Sequence, residues 1–313
     1  MAVGDISRLG AITAERSRAI RARVRGLGFA ERTPLPAETA ASGMPQELRL
    51  PLVKWALDRD QHPAAGLALL FEHLLPVPRA VADRALGTQM LGWLLEAGIV
   101  ERAADAVRAC LRLAVMDGVF IWCDDASAGA ETVMSPGPTT LDLVAVLPSS
   151  MSGSVLDVGT GPGTLGLVAA KRGADRVVAT DISDRAVALT RFNAAFNELK
   201  VDARAGDLLG PVAGERFDWI VAQPPYVTHP PDEAGVTFLH GGAMGDELAM
   251  RLLAGVGQHL RSPGFALVLF DSPERPKSTL GERVRAVVGT EVDVVVMGQP
   301  GLGPDRQALG YAA

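Results

Sequence analysis

The 313-residue chain has only two cysteines, Cys110 and Cys123, too few for a disulfide framework or a cysteine zinc cluster. It has no apolar run near the ~18 residues of a membrane span, and its N-terminus lacks the charged-then-apolar pattern of a signal peptide. These absences predict a cytoplasmic protein with no membrane partner. Lysine is scarce: Lys54, Lys171, Lys200 and Lys277 are the four, so arginine carries nearly all the positive charge. Positive charge is not in excess either. The formal net charge of -6 gives no general attraction to nucleic acid and counts against a bulk RNA or DNA binder. No metal-ligand spacing of histidine, cysteine or carboxylate is present, so no metal is expected.

What is there is an ordinary globular composition, 48% hydrophobic and 21% charged, with length for about two domains. Residues 1–33 hold seven arginines against Asp5, Glu15 and Glu31. Ile12, Ile20, Val24 and Leu27 recur among them at helical spacing, which predicts an amphipathic helix. Its basic face is either solvated, with the helix docked by its apolar side, or a surface for an anionic partner. A loop rich in proline and glycine follows at 34–45. Helical patterns then run over about 46–58, 63–75, 79–86 and 88–97. From Val107 to Val115 apolar residues alternate, as in a half-buried strand; Asp117-Gly118 supplies a tight turn and Val119–Cys123 a returning strand. Helices followed by a hairpin resemble a winged helix. A first domain over 1–130 is therefore expected, mainly helical and winged-helix-like, acting as a substrate lid or a dimerisation element, with a homodimer among the expected states. Residues 124–135 read as a linker to a second domain over 131–313.

From residue 154 onward strands and helices alternate. Strands are predicted at about 154–158, 176–180, 201–205, 217–222, 264–270 and 291–297, and helices at about 164–172, 184–198, 245–260 and 277–288. This pattern makes a mostly parallel, doubly wound α/β sheet. Ligands of such sheets bind beyond the C-terminal ends of the strands, so the residues just after each strand are the informative ones.

Four segments stand there. Asp157-Val158-Gly159-Thr160-Gly161-Pro162-Gly163-Thr164 runs from an apolar strand through a glycine-rich turn into a helix. Glycines allow a tight turn and close approach of backbone to a ligand. The overlapping G-x-G-x-x-G pattern is weak alone, but Asp157 ahead of it suits a cationic ligand and would repel a pyrophosphate. Asp181 ends the second strand about twenty residues after the glycines, where an acidic side chain can accept from ribose hydroxyls, with Ile182 against an adenine face. Asp207 and Leu208 follow the third strand, placed for an adenine amine and ring. After the fourth comes Gln223-Pro224-Pro225-Tyr226, where two prolines hold an extended backbone between a polar amide and an aromatic ring. His229, Asp232, Glu233 and His240, in the loop beyond, are candidates for a general base.

These motifs resemble the class I S-adenosylmethionine-dependent methyltransferases whose fourth motif is Asn-Pro-Pro-Tyr, a group that includes release-factor glutamine, adenine amino-group and some ribosomal RNA methyltransferases. The resemblance covers about 133–313. Ser135-Pro136-Gly137-Pro138-Thr139-Thr140 resembles the segment that helps close over the cofactor in the glutamine methyltransferases. Gly241-Gly242-Ala243-Met244-Gly245-Asp246 resembles a segment of bacterial methyltransferases with an N-terminal winged-helix-like domain. The resemblance implies a Rossmann-like fold and S-adenosyl-L-methionine held by Asp157, Gly159, Thr160, Gly161, Gly163, Asp181, Ile182, Asp207, Leu208 and Gln223. It implies an acceptor held by Gln223, Pro224 and Tyr226. The departure is Gln223, one methylene longer than the group's Asn. With the acidic balance, it leads us to expect methyl transfer to a nitrogen, or an oxygen, of a small-molecule substrate. Protein glutamine and ribosomal RNA are the alternative acceptors. A nicotinamide-dependent dehydrogenase, and a non-catalytic regulator that senses the cofactor, are the competing classes.

Overall fold

The computed structural model describes residues 4–30, 44, 46–60, 62, 64–125, 129, 131–228 and 239–297. The first elements are α1 (Ala14–Gly26), α2 (Gln46–Leu57), α3 (Ala65–Leu67, running into a π-helical turn over Ala68–Glu72), β1 (Val77–Pro78), α4 (Arg79–Leu86), α5 (Thr88–Glu96), β2 (Val100–Ala103) and β3 (Ala106–Ala109). The three strands form one antiparallel sheet in the order β1-β3-β2. Helix, strand, two helices and a hairpin make a winged-helix arrangement. The second of those helices, α5, exposes Thr88, Gln89, Gly92 and Glu96 and carries no arginine or lysine.

The hairpin of this unit is β2–β3, not the one predicted. Burial alternates from Val107 through Ala109, Leu111 and Leu113 as the sequence implies, but the strand breaks at Cys110-Leu111. Its first half pairs with β2. Its second half, β4 (Arg112–Met116), pairs with β5 (Val119–Cys123) as a separate two-stranded sheet. A period of two fixes which face is buried; it says nothing about which strand lies alongside. The turn is as expected, with Asp117 at φ 49° and Gly118 at φ 69°, the conformation that an Asp-Gly pair adopts most readily.

The rest alternates: α6 (Pro138–Val146), β6 (Ser154–Val158), α7 (Thr164–Lys171), β7 (Arg176–Asp181), α8 (Asp184–Asn197), β8 (Asp202–Ala205), β9 (Phe217–Ala222), β10 (Val227–Thr228), β11 (His240–Gly242), α9 (Glu247–His259), β12 (Leu260–Val268) and α10 (Leu280–Val288). Five strands lie parallel in the order β12-β9-β6-β7-β8. The central strand β6 is buried along its whole length, because helices cover both faces of a parallel sheet. Val155 packs on one side with Leu167, Val168 and Val177; Leu156 and Val158 pack on the other with Ile220, Leu252 and Val256. This is a Rossmann-like α/β fold. The strand predicted at 291–297 does not form: Val295 is 83% and Met297 78% exposed. A valine-rich run has the propensity for a strand but needs a neighbouring edge to pair with.

Helix α1 is tied into its own half: Arg23 donates to the carbonyls of Arg84 and Ala85 at the end of α4, Arg25 to that of Gly118, and Arg16 to Glu96 and the carbonyl of Ala11. It also joins the halves, since Arg18 and Arg21 both reach Glu198, just past α8. The basic face of α1 is thus spent largely on internal carbonyls and carboxylates. Residue 124, read from composition as linker, is instead a buried anchor: Asp124 is 1% exposed, accepts from Val133 N and pairs with Arg185 at 2.6 Å. Among the described residues no helix is long and apolar enough to cross a membrane.

Candidate active site

The register of the sheet brings the glycine-rich turn and the Gln-Pro-Pro-Tyr turn together. Val158, the last residue of β6, pairs with Ala222, the last of β9. Gly159 and Gln223 therefore leave adjacent strands side by side at the C-terminal edge.

The glycine turn is held from below. Gly159 and Thr160 donate to the carbonyl of Thr180 at 2.8 and 3.0 Å, and Gly161 N donates to Asp181 Oδ2 at 2.9 Å. Gly159, Gly161 and Gly163 have φ of 67°, 55° and 94°, a region that disfavours side chains. A side chain at Gly159 would meet nothing within 4 Å, and one at Gly161 only Val133 at 3.9 Å, so the upper side of the turn is an open cradle. Asp157 lies beneath it, 1% exposed, with Oδ2 accepting from Thr160 Oγ1 at 2.6 Å and Gly166 N at 2.8 Å. Burial pushes its carboxyl up to about 6, against the lowering effect of those two hydrogen bonds. The hydroxyl of Thr164, at the start of α7, is buried with no partner among the described residues. Such an atom costs free energy unless something satisfies it.

Asp181 accepts from Ser183 N through its second oxygen at 2.9 Å, and burial raises its carboxyl above the ordinary range. Ile182 beside it is 62% exposed, an apolar side chain left facing outward. Asp207 pairs with Arg251 at 2.6 Å with both side chains well exposed, and Leu208 sits at φ 46°. Open glycine backbone, an orphaned buried hydroxyl, acidic side chains and an exposed isoleucine fit a cationic nucleoside cofactor.

On the acceptor side, the Gln223 amide is held at both ends: Oε1 accepts from Thr140 Oγ1 at 2.8 Å and Nε2 donates to Thr139 Oγ1. The turn it begins is backed by the Gly-Gly segment. Val227 pairs with His240, and Thr228 with Gly242, in the parallel pair β10–β11. A side chain on Gly241 would run into the carbonyls of Gly245 and Pro225, the latter at 2.5 Å, and one on Gly245 into the Tyr226 carbonyl at 2.5 Å. These glycines exist for backbone-to-backbone contact. The segment ends at Asp246, 1% exposed, whose carboxylate binds Ser272, Arg275 at 2.7 Å and Arg283 at 3.4 Å. Thus the chain after β12 anchors the segment that backs the acceptor turn.

Thr139, Thr140 and the Asp246 group were not singled out in the sequence as individual side chains. Pro138 at the first helical position was the available signal, because it places both threonines in the first turn of α6. Of the candidate bases, His229, Asp232 and Glu233 lie outside the described residues; His240 is half-buried in β11.

The family called the Methyltransferase small domain matches residues 137–291. The release factor glutamine methyltransferase of Deinococcus radiodurans is 34% identical over 244 residues, covering 71% of this chain and 83% of that one. The same enzyme of Koribacter versatilis is 36% identical over 151 residues; the match covers 44% of this chain and about half, 54%, of the relative. A 16S rRNA methyltransferase of T. thermophilus, solved with AdoMet and guanosine, has a TM-score of 0.42 at 20% identity over 68% of this chain and 58% of that one. The glutamine methyltransferases are named for a protein substrate, which corrects the expectation of a small-molecule acceptor. That expectation rested on net charge and on Gln223. An acidic surface disfavours nucleic acid but does not separate a protein from a metabolite.

Proposed function

We propose that this chain, which belongs to the class I S-adenosylmethionine-dependent methyltransferases of the Asn-Pro-Pro-Tyr group, methylates the side-chain amide of a glutamine in a protein. Membership makes it an enzyme that uses S-adenosyl-L-methionine and transfers the methyl group to nitrogen. When bound, that cofactor supplies a methyl group on a positively charged sulfur, which leaves as a neutral thioether. The acceptor nitrogen forms the new N–C bond as the S–C bond breaks, and gives up one proton. The protein's task is alignment.

In this reading Gly159 and Gly161 offer open backbone to the cofactor, Thr160 and Gly163 hold the shape of the turn, and Asp157 places negative charge under its cationic end. Asp181 accepts from the ribose hydroxyls and Ile182 covers one adenine face. Asp207 shares its exposed carboxylate between Arg251 and the adenine amine, with Leu208 against the ring. Gln223 and the Pro224 carbonyl bind the acceptor carboxamide, and Tyr226 flanks its plane. The observation that carries the reading is the register pairing Val158 with Ala222, which sets the open glycine cradle beside the Gln223 amide. A neutral amide needs no strong base, in keeping with a turn whose side chains are an amide, prolines and a phenol. The exposed face of α5, without a basic residue, disfavours the ribosomal RNA alternative.

The test is to incubate the chain with methyl-labelled S-adenosyl-L-methionine and a purified peptide-chain release factor, then map the label by peptide mass spectrometry. One methyl on a glutamine is expected. Label confined to lysine, arginine or RNA would overturn the reading.

A further inference from the structure

Gln223 departs from the group's Asn, and its two partners give the departure a use. Both are in the first turn of α6, 84 and 83 residues earlier in the chain. Thr140 is itself placed by the backbone: Gly137 N donates to its hydroxyl oxygen at 3.3 Å, while its O–H donates to Gln223 Oε1 at 2.8 Å. The Thr139 hydroxyl oxygen accepts from Gln223 Nε2. A primary amide has two N–H donors and an oxygen with two lone pairs. The threonines occupy one N–H and one lone pair, which leaves one of each. A planar carboxamide acceptor offers the complementary pair.

We propose that Thr139 and Thr140 are positioning residues that act through Gln223, fixing which edge of its amide faces the acceptor and tying the start of α6 to the acceptor turn. This rests on the glutamine reading above for the identity of the acceptor, not for the clamp. The extra methylene is what makes the clamp reachable. An Asn head would fall short by about 1.5 Å, beyond hydrogen-bonding distance of both hydroxyls. The group's shorter residue and this chain's longer one therefore imply different supports for the same amide.

The experiment is a double-mutant cycle on Thr140→Val and Gln223→Asn in the full chain, with Thr140→Ser as the conservative control. Three quantities are read: kcat and KM for the release factor, S-adenosyl-L-methionine affinity by calorimetry, and hydrogen–deuterium exchange over residues 137–146. Thr140→Val should lower kcat about tenfold, the cost of one well-placed hydrogen bond, with cofactor affinity within about twofold; Gln223→Asn, which loses both bonds, should lower kcat further. The double variant should be no worse than Gln223→Asn alone, since the Thr140 bond is already lost in that variant, and Thr140→Ser should restore the rate. Additive losses, or an unchanged kcat in Thr140→Val, would overturn the proposal. Should the wild-type chain methylate no glutamine, the exchange measurement still decides the clamp. Both single variants must speed exchange at 137–146, and the double no further; equal protection in all forms would sink it.

Discussion

The two halves of the site are built in opposite ways. The cofactor half is local: Asp157 holds Thr160 and Gly166 within ten residues of chain, and Asp181 holds Gly161 from the neighbouring strand. The acceptor half is assembled from four distant segments: the start of α6, the Gln-Pro-Pro-Tyr turn, the Gly241–Asp246 segment, and residues 272–283. A binding site for a constant ligand can be a compact motif. A site that must fit a particular acceptor gains adjustability when its walls come from separate parts of the chain.

The comparison can be broken most severely at Asp246. Replacing it with Ala leaves Arg283, whose side chain is 12% exposed, facing an empty partner position, and removal of one partner of a buried pair costs ~3–5 kcal/mol. Urea denaturation should show a loss of that size; a change under about 1 kcal/mol would mean that the segment is not anchored there. Next is Gly241→Ala, which forces the backing segment away from Pro225. Displacements near 1 Å at a reacting centre cost ~100-fold in rate. The turnover should fall by about that factor while calorimetric affinity for S-adenosyl-L-methionine stays within about threefold. Loss of cofactor binding in this variant would mean that the halves are not separable.

The cofactor half is sharpened by pH. Asp157 is raised from 3.8 to about 6 in the fold, so its charge is lost as pH falls through about 6. The cofactor's amino group stays protonated across that range, its reference pKa being ~8. Affinity should therefore drop on going from pH 7.5 to 5, and Asp157→Asn should flatten the dependence. The stability effect has the opposite sense: the folded form holds this proton more tightly than the unfolded form. The contribution of Asp157 thus declines as pH rises from about 4 towards 6 and is level above that. A wild-type binding isotherm independent of pH would remove Asp157 from cation recognition. The smallest effect is expected at Ile182→Ala. An exposed side chain should change stability by less than about 0.5 kcal/mol while weakening cofactor binding severalfold; unchanged binding would dismiss its role against adenine.

The same contrast explains what could be read from sequence. Asp157 through Thr164 and Asp181 were legible because their spacing carries the geometry: strand, turn, helix, next strand. The five parallel strands followed from the alternation of periods. The partners of Gln223 were not legible, because a hydroxyl 83 residues away leaves no local pattern. The hairpin across Asp117-Gly118 forms as expected, but its first strand is shorter and it is not the wing, for a related reason. The alternation through Val107 and Leu113 is continuous, and the bend at Cys110 that divides it between two partners is a tertiary choice. Net charge misled on the acceptor since it reports on nucleic acid, not on the choice between a protein and a metabolite.

The strand β5 shows how far the halves depend on each other. Among the described residues its outer edge meets no strand; Asn193 and Asn197, one turn apart on α8, bind it instead. Their amide oxygens take the N–H groups of Trp122 and Phe120 at 2.9 Å each, and their nitrogens return bonds to the carbonyls of the same two residues. Asn193 also donates to Pro162 inside the glycine turn at 2.8 Å. An unpaired strand edge is a template on which another chain can add; here a helix closes it with two side chains that mimic a neighbouring strand. The edge is satisfied only once α8 is in place, so the hairpin cannot be complete before the sheet that carries α8. The chain should accordingly melt in a single calorimetric transition, and a fragment ending near residue 130 should expose a sticky edge rather than stand as a free domain.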